Sequence, residues 1–165
     1  MKIAIDVTQA IYGTGVSQYT RHLVSELLKL KTKDSLVLFG GSLRRKAELD
    51  HWIRHQQGAI GKTHRLSPKM AHFLWNTLHL YPVERITGPV DVIHTSDWAE
   101  PPARAPKVTT IHDLAMFKDP QYVHPEVGRV HRKRLFWVIK ESARIIAVTQ
   151  ATKNDIIRYL EVDPE

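Results

Sequence analysis

Short apolar runs alternate with longer helical patterns along the chain. Lys2–Val7 is a β-rich run and predicts a strand. Val16, Tyr19, Leu23, Leu27 and Leu30 then recur at spacings of three and four, which places one apolar stripe along a helix. Leu36–Phe39 predicts a buried strand ending in Gly40-Gly41. Arg44–Gln57 predicts a polar helix that turns Leu49, Trp52 and Ile53 inward. Lys62–Leu66 predicts a short strand, and Pro68–Leu80 a helix with Pro68 in its first turn. Val90–Thr95 and Lys107–Ile111 predict strands, Glu126–Ser142 a helix, Arg144–Val148 a strand and Gln150–Leu160 a helix.

This alternation predicts an α/β domain: a parallel sheet with helices on both faces. No internal repeat, low-complexity tract or linker interrupts it. Ligands of such sheets bind outside the carboxyl ends of the strands. The segments to inspect are therefore Thr8–Val16, Ser96–Glu100, His112–Asp113 and Thr149–Lys153.

The length of 165 residues suits one domain with a real core. The absence of cysteine excludes disulfides, cysteine-based zinc sites and thiol catalysis. No apolar run approaches the ~20 residues of a membrane span. Met1–Asp6 reads as a strand and not as a signal peptide, so the expected location is cytoplasmic. The net charge of +7 lies wholly in residues 1–82, with 12 Lys+Arg against 5 Asp+Glu. Residues 29–72 alone hold 10 against 3. Such a segment suits solubility, or an anionic partner such as the inner face of a membrane, against which the protein would lie peripherally. No helix–turn–helix or RNA-recognition signature accompanies the charge, so no nucleic-acid partner is expected. Trp52, Phe73 and Trp75, in or next to that segment, are expected in the core.

Gly13-Thr14-Gly15-Val16 opens directly into the first helix. Backbone N–H groups and the dipole at a helix start form an anion site, and glycines allow close approach. The dinucleotide fingerprint fails, because Gln18 stands at its third glycine and no acidic residue ends the second strand. A phosphate or sugar contact remains the expectation for Gly13, Thr14, Gly15 and Val16. His112-Asp113 follows a strand end, where such a pair can orient a hydroxyl or move a proton. Thr149 is placed to cap the last helix, whose start, with Lys153, can also meet an anion. No set of side chains has metal-ligand spacing.

Taken together, Gly13–Tyr19, Asp91–His94, Val108–Leu114 and Ala147–Thr149 with Thr152–Ile156 resemble the N-terminal domain of retaining glycosyltransferases of family 4. The resemblance covers nearly the whole chain. It implies one Rossmann-like half of a GT-B enzyme spanning residues 1–165, with a donor-binding C-terminal domain outside this chain. It implies transfer of a sugar from a nucleotide sugar to a glycan or lipid-linked acceptor, with retention and without a metal or other cofactor. It implies backbone contact to donor phosphates for Gly15 and Val16. It also implies a catalytic role for His112, orienting the sugar or acceptor hydroxyl, with Asp113, Thr149 and Lys153 as further substrate contacts. The chain alone is expected to be inactive. The alternative is a non-catalytic, flavodoxin-like module that binds a phosphorylated ligand.

Overall fold

Six of the extended runs pair into one sheet, and every pairing is parallel. The computed structural model describes residues 1–30 and 32–163. The strands are β1 (Lys2–Asp6), β2 (Ser35–Gly41), β3 (Ala59–His64), β4 (Val92–Thr95), β5 (Lys107–Ile111) and β6 (Ser142–Ala147). They lie in the Rossmann-like order β3-β2-β1-β4-β5-β6. The chain builds outward from β1 to one edge, then returns to start β4 on its other side. That reversal opens a crevice at the carboxyl ends of β1 and β4.

Period-two alternation sorts the strand side chains onto two faces. Ile5, Leu36 and Leu38 meet Val24 of α1 (Gly15–Lys29) and Leu49 and Ile53 of α2 (Lys46–Arg54). Ala4, Val37, Phe39 and Ile93 pack instead with Val83 and with Ile86 of α4 (Glu84–Thr87), which follows α3 (Pro68–Ala71) in the chain. Ile111 meets Leu135 and Val138 of α6 (Pro125–Glu141), and Ile156 and Leu160 of α7 (Gln150–Leu160). A short α5 (Ala115–Lys118) links β5 to α6. Helices therefore cover both faces, as the alternation predicts.

Gly40 and Gly41 are the last two residues of β2, paired with Thr63 and His64, so the strand ends in this pair as expected. A Cβ on Gly41 would collide with the His64 imidazole and the Leu66 carbonyl. Gly61 lies inside β3 against Ile53 of α2, and this strand starts three residues earlier than Lys62–Leu66. These glycines permit close packing and do not mark turns. α3 passes directly into a π-helix at His72–Thr77. Trp75 is buried and Trp52 half-buried, but Phe73 is 57% exposed and does not join the core.

Beneath the carboxyl ends of β4 and β5 lies a buried ionic network. Lys107 Nζ is 3.1 Å from Glu100 and 2.6 Å from Glu141, and also donates to the Pro101 carbonyl at 3.0 Å. Arg134 donates to the Thr109 hydroxyl and lies 3.8 Å from Asp97 and 3.9 Å from Glu100. Asn76 accepts from the Glu100 N–H at 2.8 Å and donates to the Trp98 carbonyl at 3.0 Å. The Ser96–Glu100 loop at the crevice is thus pinned from below.

Candidate functional site

The start of α1 is built by Thr14. Its side chain accepts the Ser17 N–H at 3.2 Å, and Ser17 Oγ accepts the Thr14 N–H at 3.2 Å. The Thr14 carbonyl accepts the Gln18 N–H. The N–H groups of Gly15 and Val16 have no intrahelical acceptor and point out of the helix start. Gly13, Thr14 and Gly15 are exposed, and a Cβ on either glycine meets nothing within 4 Å. A ligand can therefore approach this backbone. The left-handed φ of +71° belongs to Gly13 and not to Gly15, so Gly15 serves approach and Gly13 serves the turn.

Val16 and His112 line one narrow crevice of about 10 Å³ at the strand ends, together with Asp6, Tyr19, His94 and Asp97. His112 stands edge-to-face with Tyr19, ring centroids 4.8 Å apart. Its carbonyl accepts the Thr152 hydroxyl at 3.2 Å. Burial holds the His94 imidazole down at about 4, with smaller contributions from Arg134 and His112, so this ring is neutral at pH 7. Burial pushes the Asp6 carboxyl up, against the lowering effect of its hydrogen bonds to Thr8.

The remaining expected site residues fall elsewhere. Asp113 is exposed and its Oδ1 accepts the Ala115 N–H at 2.9 Å, which starts α5. Thr149 caps α7 by accepting the Thr152 N–H at 3.0 Å. Thr149 and Lys153 line a separate cavity of about 570 Å³ beside β6. Among the described residues no group of three or more His, Cys, Asp or Glu side chains is placed to hold a metal ion. No described helix is long and apolar enough to cross a membrane.

A family model described as Glycosyltransferase Family 4 matches residues 13–165, from the α1 loop onward. The chain belongs to glycosyltransferase family 4. A comparison with curated proteins returns no match. The Rossmann-like sheet of this glycosyltransferase domain is consistent with one half of a GT-B enzyme.

Sequence reasoning gave no role to several crevice residues of the family 4 domain. Tyr19 reads as one member of the apolar α1 stripe, and Asp6 and His94 as strand residues. A signal for the last two was present. Polar side chains within the last residues of a central parallel strand stand where ligands bind.

Proposed function

We propose that this domain forms the acceptor-side wall of a retaining glycosyltransferase, which moves a sugar from a nucleotide sugar to a hydroxyl on a glycan or lipid-linked acceptor. The supporting observation is that Val16 and His112 share one crevice at the point where the strand order reverses. The helix start beside them offers unused N–H groups to an anion.

In this reading the Gly13–Val16 backbone meets the donor diphosphate. His112 orients the transferred sugar or the incoming hydroxyl. The acceptor oxygen bonds to the anomeric carbon as the bond to the leaving phosphate breaks. The leaving phosphate takes the acceptor proton on the same face. Positioning and stabilisation of charge on the leaving group supply the rate, with no metal. Thr152 ties the α7 start to the end of β5, and Asp113, Thr149 and Lys153 are assigned outer substrate contacts on that side. The nucleotide is assigned to a separate donor-binding domain, and the place of action to the cytoplasmic side of a membrane.

The test is release of nucleoside diphosphate from a panel of nucleotide sugars by the enzyme that contains this domain, with the product anomer read by NMR. Residues 1–165 alone are expected to transfer no sugar. His112→Ala in the active enzyme is expected to lower turnover by ~10²–10³ with little change in melting temperature. Wild-type turnover in that variant would leave His112 with a packing role only, and an inverted product would end the retaining assignment.

A further inference from the structure

Three elements meet behind His112 through polar side chains. His94 on β4 lies in register with Val108 on β5, so Thr110, two residues further, faces the same side of the sheet. His94 Nε2 is 3.0 Å from Thr110 Oγ1, and the Tyr19 hydroxyl of α1 is 2.9 Å from the same oxygen. The Tyr19 ring then stands against the His112 ring with their planes at 84°. No hydrogen bond among the described residues holds either ring nitrogen of His112.

We propose that Tyr19, tethered through its hydroxyl to Thr110 and His94, is a positioning residue that fixes the orientation of the His112 imidazole in the crevice. The proposal rests on the reading of His112 given above and deepens it. A ring with no hydrogen bond of its own is oriented by what it packs on, and both its nitrogens stay available to a ligand. Tyr19 can set that orientation only if its own ring is fixed, and the hydroxyl contact fixes it.

The proton order along the chain follows from burial. His94 Nδ1 is buried without a partner. An N–H there would be an orphaned donor, so Nδ1 stays bare and Nε2–H donates to Thr110. The Thr110 hydroxyl is then free to donate to Tyr19. Burial keeps His94 neutral, so this order holds at neutral pH. A tyrosine serving only the α1 stripe would need its ring alone, and phenylalanine would replace it without effect.

Tyr19→Phe and Thr110→Val each remove one end of the hydroxyl contact at nearly constant shape. The first readout is the ring-proton NMR signals of His112 in the protein, assigned with His112→Gln. Tyr19→Phe is expected to shift or broaden them. Thr110→Val should do the same although its hydroxyl bonds only Tyr19 and His94. Unchanged His112 signals in a folded Tyr19→Phe protein overturn the tether.

The second readout is turnover of the active enzyme. Tyr19→Phe should lower kcat about tenfold at constant donor KM, less than the ~10²-fold that a 1 Å misplacement can cost. It should cause no further loss when His112 is already Ala, whereas independent roles would give additive losses. Additive losses, or shifted His112 signals with unchanged kcat, overturn the positioning role. Full turnover in His112→Ala would overturn the catalytic reading of His112 and the positioning role with it. The NMR result would still decide the tether on its own.

Discussion

His64, His94 and His131 are packed as neutral rings, each with its pKa pushed below the ordinary histidine value chiefly by burial. In the unfolded chain they titrate near 6.5. Between that pH and the folded values the unfolded state binds more protons, so stability falls as pH falls. For His94, held at about 4, the window runs from about 6.5 down to about 4 and amounts to about 3 kcal/mol. Asp6 opposes this, because its raised folded pKa makes the folded state the better proton acceptor at that site. Urea midpoints should therefore be level above pH 7 and drop between 6.5 and 4, with a shallower drop in His94→Gln. A variant profile parallel to wild type would show that His94 is not the source. The two glycines of the α1 loop separate in the same way. Gly13→Ala forces a side chain into the left-handed region and should cost about 1 kcal/mol. Gly15→Val has open space and leaves the helix intact, yet should raise the donor KM by obstructing the backbone. An unchanged donor KM would refute phosphate contact at this loop. At this scale the chain shows residue types but hides partners. Glu100, Lys107 and Arg134 look like solvated charges in sequence, and only the sheet brings them together in the interior.

Among the elements, α1 was legible because its apolar residues repeat at the helical period, and β1 and β5 because they are short β-rich runs. α4 and α5 have four residues each, too few to show a period. The π-helix at His72–Thr77 was not legible, because its register serves tertiary contacts: it turns Asn76 toward the loop after β4 and leaves Phe73 in solvent. Asn76 is consequently the joint between this element and the crevice. Asn76→Ala would orphan the Glu100 N–H and the Trp98 carbonyl, at about 1–3 kcal/mol. The loss should appear as faster amide exchange across Ser96–Glu100 as well as a lower melting temperature. Exchange in that loop matching wild type would show that the ionic network beneath it suffices. The crevice itself was half legible. Its location followed from the carboxyl ends of the predicted strands, and Val16 and His112 from their place after them, but the strand order was not legible, and Tyr19 faces the crevice only because α1 crosses above β5.

For the whole molecule, the decisive asymmetry is charge, and the structure changes which cations express it. Arg45 pairs with Glu48 at 2.6 Å and Lys46 with Asp50 at 2.7 Å, so reversing these two would break local contacts as well as remove charge. Arg44, Lys62 and Arg65 are exposed and have no ion-pair partner among the described residues. Arg44 and Arg65 follow β2 and β3, whose ends are joined by the Ser42 N–H to the His64 carbonyl. Next to them Leu66, Met70, Phe73 and Leu74 line an open apolar hollow, with Lys69 at its side. Cations beside exposed apolar side chains suit an anionic lipid surface, where each basic residue contributes about 1 kcal/mol. The protein should therefore cosediment with vesicles containing phosphatidylglycerol and not with pure phosphatidylcholine. Binding should weaken as salt shortens the Debye length from about 10 Å at 0.1 M to about 3 Å at 1 M. Reversing Arg44, Lys62 and Arg65 to Glu changes the charge of residues 29–72 by two units at each position, from +7 to +1. It should abolish binding while leaving the melting temperature nearly unchanged. Phe73→Ser should weaken binding without altering its salt dependence, because it removes apolar insertion and no charge. A protein that is basic for solubility alone would bind neither vesicle, and equal partition to both would end the electrostatic reading.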